Sequence, residues 1–477
     1  MTVYDKLFIG GAWAAPVTGE LLEIRSPHDQ SLVGRAAQAS PADVDRAVAT
    51  ARRAFDEGPW PRLTPQERQG FVKRFNDLHT RRATEIAALI TSENGTPAWF
   101  TSSLQSQLQE QTNAYLRAAE DLAWEERVAG PAGTSVLVRR EPVGVVAAVI
   151  PWNAPHQSAL VKVVPALLAG CTVILKASPE TALDALLLAE IFEAAGFPPG
   201  VISVLPADRE TSEYLISHQD VDKVAFTGST AAGRRIASIA GAQLKRVSLE
   251  LGGKSASIIL DDADLEQVAA AVPFLAFGNN GESCAAHTRL LAPRSRYEEV
   301  VGLVKAAAEK VTVGNPSDPQ SFVGPLVTKA QKERVESYIR SGIDEGARLV
   351  VGGPGTPEGL EAGNYVRPTV FADVDNAMRI AQEEIFGPVL VVIPYEDEDD
   401  AVRIANDSPY GLSGGVWTSD PERGLAVARR IRTGTFLVNG ASFGFDAPFG
   451  GYKASGIGRE FGPVGLGTYL EHKTISM

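Results

Sequence analysis

Two cysteines, Cys171 and Cys284, and three methionines are all the sulfur in this 477-residue chain. Two thiols are too few for a disulfide framework or a thiolate metal site, so each cysteine is judged singly. The six histidines are scattered, with no H-E-x-x-H or paired spacing, and no metal site is expected. Positive charge is also short. Forty-five Lys and Arg face 58 Asp and Glu, a net charge of −13 that repels phosphate backbones and anionic lipid, so neither nucleic acid nor membrane is an expected partner. No apolar run reaches the ~18 residues that span a bilayer, and the opening MTVYDKLFIGGAW has no basic segment leading into an apolar one. A cytoplasmic protein is expected.

What is present is ordinary globular composition, 44% hydrophobic and 22% charged, over a length that suggests two or three packed units. Residues 3–35 read as short extended pieces broken by Gly10-Gly11, Gly19 and Pro27. SPADVDRAVATARRAF then predicts a helix, with Ser40 as N-cap, Pro41 at the first position and apolar residues at helical spacing. From Val136 the chain alternates: β-rich runs to Ile150, helical SALVKVVPALLAG, strand CTVILK, helical TALDALLLAEIFEAAG, then strands VISVLP and KVAFTG. Strands alternating with helices predict an α/β fold with a doubly wound parallel sheet able to hold a nucleotide. A second alternating set follows Lys254, beginning with SASIILD and RLLAP and running to GTFLVNG, and GGPGTPEGLEAGN at 352–364 reads as an exposed loop.

The strict G-x-G-x-x-G fingerprint does not occur. After the strand KVAF, however, comes Thr227-Gly228-Ser229-Thr230-Ala231-Ala232-Gly233 and then a helical stretch, a turn whose amides and Ser229 hydroxyl suit a pyrophosphate at the positive end of a helix, or serve only as an ordinary N-cap. Gly253-Lys254-Ser255 is not a P-loop, because Ser248 stands where the first glycine is needed. Cys171, inside LLAGCTVILK, reads as a small buried hydrophobe. Cys284 follows glycine and polar residues in NNGESC, where a loop thiolate can be reached. Glu250, between an apolar strand and two glycines in VSLELGGK, is partly desolvated and a candidate base.

Taken in order, PWNAP at 151–155, Lys176, FTGSTAAG at 226–233, ELGGK at 250–254, GESC at 281–284, EEIFGPV at 383–389 and PFGGYKASG at 448–456 resemble the aldehyde dehydrogenase superfamily over essentially the whole chain. The resemblance implies oxidation of an aldehyde to an acid. It makes Cys284 the nucleophile, forming a thiohemiacetal and then a thioester; Asn153 and the Cys284 amide the oxyanion hole; Glu250 the base for water; and Glu460 a second carboxylate that relays the proton outward. It assigns Gly228, Ser229 and Gly233 to the pyrophosphate, Lys176 to the adenosine ribose, Glu384 and Phe386 to the nicotinamide end, and Trp152 and Ile150 to the cofactor's path. It also implies an NAD(P)-binding domain from residues 1–120 and 143–253, a catalytic domain over 254–463, and a β extension from 121–142 and 464–477 that builds a homodimer or homotetramer. A CoA-acylating relative would generally lack the base glutamate, and a binding protein on this scaffold would not need Cys284, Asn153 and Glu250 together.

Three departures from the family pattern stand out. Where many relatives carry a ribose-binding glutamate three residues after the lysine, this chain has Pro179 followed by Glu180, so NAD is expected with measurable NADP use. Glu282 replaces a common glutamine two residues before the cysteine and is expected to point away from the sulfur. Ala154 and Val161 stand where bulkier, often aromatic, residues are frequent, leaving a wider channel with Phe443 and Phe449 as walls. Bulky apolar aldehydes, aromatic or terpenoid, are therefore expected. His287 is read as packing rather than as a base.

Overall fold

The computed structural model describes residues 1–130 and 134–476. Five parallel strands form the centre of the first sheet: Val145–Val149, Thr172–Ala177, Ile202–Pro206, Lys223–Thr227 and Arg246–Glu250. The second and third are laid down on one side of the first, the fourth and fifth on the other. Chain direction across the sheet therefore reverses between Val145–Val149 and Lys223–Thr227, which leaves a crevice beyond their C-terminal ends. Leu7–Ile9 and Ala12–Ala14 extend one edge as an antiparallel hairpin, and Gly456–Ile457 pairs antiparallel with Arg246–Glu250 at the other. Thus residues 456–457, inside the segment 254–463, return to the first sheet.

The helices form where the pattern predicts them. Pro41–Asp56 starts at Ser40, whose backbone N–H and hydroxyl both donate to the buried Asp43 carboxylate at 3.1 and 2.7 Å. Pro155–Ala169 is buried at nearly every position, because it lies between the sheet and the helices Pro65–Arg81 and Ala98–Asp121. That explains its lack of a polar face.

The second sheet has seven strands, with Ala256–Ile259 and Arg289–Pro293 paired in parallel near its centre and Val389–Tyr395, Thr369–Ala372 and Gly414–Trp417 flanking them. The GTFLVNG stretch contributes only the two-residue strand Leu437–Val438. Glu125–Ala129, Ser135–Pro142 and Leu470–Ser476 make a separate three-stranded antiparallel sheet. Among the described residues no helix is long and apolar enough to cross a membrane.

Candidate active site

The two main sheets present opposite strand ends to one crevice. The first offers C-terminal ends, carrying Asn153, Gly228 and Glu250. The second offers the segments that precede its strands, carrying Cys284 before Arg289–Pro293 and Glu384 before Val389–Tyr395. A cavity of about 470 Å³ lies between them. Trp152, Asn153, Gly228, Ser229 and Glu250 line it from the first sheet, Leu251 and Gly252 from the crossing segment, and Cys284, Glu384 and Phe386 from the second.

Residues 251–255 carry the chain from one sheet to the other, and their glycines are dictated by close approach. A Cβ on Gly252 would lie 2.2 Å from the Glu384 carboxylate, and one on Gly253 would lie 2.5 Å from the Cys284 carbonyl oxygen. The Gly253 N–H donates to Glu384 Oε1 at 3.1 Å. Side chains at these two positions would push the halves of the site apart.

The loop before Cys284 is similarly over-determined. Asn279, Asn280 and Gly281 all have positive φ, at 53°, 60° and 70°. Such strain persists only where partners hold it. Asn279 donates to the Asn153 carbonyl at 2.9 Å and accepts from the Thr96 hydroxyl at 2.7 Å, and Asn280 donates to the Gly95 and Pro325 carbonyls while accepting from Gly324 N–H at 2.7 Å. The Asn153 side-chain amide donates to the Glu282 carbonyl at 2.9 Å, which fixes its direction and leaves its second hydrogen free of that bond. The carboxyl of the fully buried Glu282 accepts from Val327 N–H at 3.2 Å. Its carboxyl is thereby directed at a backbone amide.

Glu250 is 4% exposed, its Oε1 is packed against Gly450, and its Oε2 has no hydrogen-bond partner among the described residues. Burial, reinforced by the neighbouring Glu460 carboxylate, pushes its carboxyl well above the usual range, although Lys162 and Arg459 oppose the shift. Burial also raises the half-buried Cys284 thiol to about 12, with Glu384, Glu250 and Glu460 adding to the rise. Near neutrality this sulfur is a thiol. Glu460 accepts from the buried Lys162 Nζ at 2.5 Å, and the same nitrogen donates to the Thr227 hydroxyl at 2.6 Å on the cavity wall.

A second cavity of about 350 Å³ shares Trp152 with the first. Lys176 borders it, driven down to about 8 by burial, with Glu180 and Asp208 opposing the shift. Its apolar walls are Ile216, Phe226, Ile236 and Ile239; Arg209 and Arg235 stand at its polar side. Between the two cavities begins the helix Thr230–Ala242, capped by Ser229, whose hydroxyl accepts from Ala232 N–H at 3.3 Å. An apolar slot, a helix N-terminus and the chamber bordered by Glu250, Cys284 and Glu384 in sequence match the base, pyrophosphate and second nucleoside of a dinucleotide.

Some residues lie elsewhere. Gly233 borders neither cavity; a Cβ there would meet Leu251 at 2.5 Å, so this glycine lets the helix close onto the crossing segment. Ile150 is core, and its N–H donates to the Lys176 carbonyl at 3.1 Å. Ala154 borders neither cavity but a small void beside Asn153. Val161 is buried, its carbonyl accepting from the Tyr115 hydroxyl at 3.2 Å, and that hydroxyl in turn accepts from Phe461 N–H at 2.7 Å. Phe443 and Phe449 pack with Phe461, their ring centroids 5.5 and 6.1 Å from it. His287 is buried and bonded to Ser413 at 3.3 Å.

Sequence reasoning passed over Lys162, Asn279, Gln331, Arg334 and Tyr410. Gln331 donates to the Phe386 carbonyl at 2.6 Å and Arg334 to the Glu384 carbonyl at 2.7 Å, so one face of the helix Lys329–Asp344 clamps the segment bearing both residues. The spacing of Gln331 and Arg334 puts them on one helix face, the only available signal, and it is shared with any solvated helix.

A doubly wound sheet whose crevice matches a dinucleotide defines a class, the nucleotide-dependent oxidoreductases. The chain belongs to the aldehyde dehydrogenase family, whose model matches residues 13–475. It is 46% identical over 477 residues to geranial dehydrogenase from Castellaniella defragrans, covering 100% of this chain and 99% of that one. It is 42% identical over 479 residues to a 3-succinoylsemialdehyde-pyridine dehydrogenase from a Pseudomonas species, with coverage of 100% and 99%. Among solved structures it resembles an aldehyde dehydrogenase from Mycobacterium tuberculosis complexed with NAD+, at 48% identity and TM-score 0.95 over 99% of this chain and 98% of that one. A variant of aldehyde dehydrogenase C from Pseudomonas syringae, complexed with NAD+ and octanal, matches at 41% identity and TM-score 0.93 over 99% and 96%.

Proposed function

We propose that the protein oxidises bulky apolar aldehydes to carboxylic acids with NAD, through a covalent intermediate on Cys284. The observation that carries this reading is the convergence of Cys284, Asn153 and Glu250, from three distant stretches of chain, on one cavity at the end of a dinucleotide-shaped crevice. The Cys284 thiolate, its proton released to solvent, adds to the carbonyl carbon, and the resulting oxyanion faces the free hydrogen of the Asn153 amide and the Cys284 backbone N–H. Bound NAD supplies the hydride acceptor. Glu250 then takes a proton from water attacking the Cys284 thioester, the acid departs and the sulfur is restored. Glu460, held by Lys162, passes the proton outward.

Lys176, Trp152, Gly228, Ser229, Glu384 and Phe386 are the residues assigned to the cofactor. Ile150 and Gly233 support it through packing. Loss of the ribose carboxylate at Pro179 favours some NADP use. Ala154, Val161, Phe443 and Phe449 are assigned to the substrate side, and the names of the geranial dehydrogenase and of the octanal complex support an apolar substrate. In the same reading residues 1–120 and 143–253 form the NAD(P)-binding domain, 254–463 the catalytic domain apart from the strand at 456–457, and 121–142 with 464–477 an arm that joins copies into a dimer or tetramer in the cytoplasm.

The test is NADH formation from geranial, octanal, benzaldehyde and acetaldehyde, with and without CoA. NADH formed without CoA, and lost in Cys284→Ser, is the expected result. A strict need for CoA, an unimpaired serine variant, or far higher kcat/KM on acetaldehyde than on benzaldehyde overturns the corresponding part of the reading.

A further inference from the structure

Where the crossing segment meets the second sheet, two cations are buried side by side without a carboxylate bonded to either. Lys254 and Arg289 are 2% and 1% exposed. Arg289 and Gly414 each open a strand, and Ala256 pairs with both, so the two cations lie at the entry edge of that sheet. The Arg289 guanidinium donates to the Lys254, Ile404 and Ala405 carbonyls and to Asn376 Oδ1, at 2.9 to 3.0 Å. All four acceptors are neutral, and an arginine does not shed its proton, so its charge persists in the interior. The Asp407 carboxylate reaches it only through Asn376, whose amide donates to that carboxylate at 3.0 Å.

Two further donors meet there. Lys254 Nζ and Ser255 Oγ, both buried, have no hydrogen-bond partner among the described residues. Burial brings the Lys254 ammonium down to about 7, with Arg289 adding to the fall and Glu384 and Glu383 opposing it. Lys254, Ser255 and Arg289 border one void of about 10 Å³, which Ser413 and Gly414 also line, and no acidic residue is among its described walls. That volume admits about one water-sized particle. A water there would accept hydrogen bonds yet leave both charges unpaired, and a carboxylate, phosphate or sulfate is too large. A monatomic anion meets the demand of charge and of size together.

We propose that this void binds a small monovalent anion, chloride, held by Lys254 Nζ, Ser255 Oγ and the Arg289 guanidinium, and that the anion pins the crossing segment to the second sheet. The site is independent of the reaction proposed above. Lys254 follows directly on Gly253, whose amide holds Glu384, so the anion braces from behind the segment that keeps the two halves of the cavity together.

The experiment follows thermal melting of the full chain at constant ionic strength while sodium gluconate is replaced stepwise by sodium chloride or bromide. Lys254→Met, which shares the general salt effect, is the reference, and Ser255→Ala is a second variant. Relative to Lys254→Met, both halides are expected to raise the Tm of the unaltered protein saturably, by about 2 °C or more, and Ser255→Ala to show a smaller rise at the same concentration. Crystals of the unaltered protein grown in bromide should show an anomalous peak between Lys254 and Arg289. A halide response that Lys254→Met retains, the absence of any response, or a water without anomalous signal in the void overturns the proposal. A bromide peak without a halide-dependent Tm means binding at crystal concentration only and overturns it too. Should Lys254→Met fail to fold, Ser255→Ala serves as the reference and the bromide peak decides.

Discussion

Replacing Glu250 by glutamine separates the two halves of the proposed cycle. Sterically the exchange is mild, since Oε1 rests on Gly450 and Oε2 is bonded to nothing among the described residues, so no native hydrogen bond is broken. Electrostatically it acts in two directions. The Glu250 carboxylate is one of three that hold the Cys284 thiol up at about 12, so its loss makes the sulfur easier to deprotonate. The same change removes the group proposed as the base for water, and a positioned base contributes about 10²–10⁴-fold. Thioester formation is therefore spared and thioester hydrolysis is not. Rapid-mixing measurement of NADH in Glu250→Gln should show a burst approaching one equivalent per subunit, then a steady state about 10²–10⁴ slower than in the unaltered protein. A steady-state rate within about threefold of the original would refute the assignment of Glu250 to hydrolysis. Uniform slowing with no burst would place its action before hydride loss.

Four further outcomes follow from the same geometry. Because the Cys284 thiol and the Glu250 carboxyl are both pushed up and both act deprotonated, kcat/KM should climb from neutral into alkaline pH; a plateau reached by pH 6 would contradict the surroundings found for both groups. Glu282 is fully buried with its carboxyl raised, so the folded state prefers it protonated and its contribution falls as pH rises above the unfolded carboxylate range; Glu282→Gln should raise the melting temperature more at pH 8 than at pH 5, with little effect on turnover. Lys162→Met strands Glu460 beside Glu250, and breaking one side of a buried pair costs about 3 kcal/mol or more, so thermal stability and kcat should both drop. NADP should support turnover, and Arg209→Glu should depress it more than NAD turnover, because the exposed Arg209 borders the Lys176 chamber where a ribose phosphate would lie; equal losses with both cofactors would count against this.

The alternation of strands and helices was legible because each buried parallel strand, CTVILK or VISVLP, is a short apolar run bounded by breakers, a pattern set by local chemistry. The helix at Pro41 was legible from its cap. The return of Gly456–Ile457 to the first sheet was not, since two residues carry no periodicity and their pairing is decided by the segment that brings them back. Of the site, Cys284 and Glu250 stand out as residue types in unusual company. Lys162 did not, because it lies in an apolar helix where a lysine reads as a solvated end; only the fold places Glu460 and Thr227 against it. Gly233 looked like a phosphate-loop glycine for a sound reason, yet the demand it meets is helix packing on Leu251. Small residues are required by any close approach, and a sequence does not say what approaches.

The charges around Cys284 give the site a logic that none of its residues has alone. An ordinary thiol titrates near ~8.5, and a half-buried one with that value would be open to oxidation whenever the crevice stood empty. Here burial pushes the thiol up to about 12, with Glu384, Glu250 and Glu460 adding to the rise. Glu384, raised to about 7 by burial yet steadied by the Gly253 amide, Arg334 and Lys254, sits at the midpoint where a small change of field decides its charge. A positive charge entering the crevice beside it would oppose the carboxyls and lower the thiol, whereas an aldehyde alone would not. The glycines at 252 and 253 matter because they keep Glu384 and the cysteine loop close enough to feel the same field.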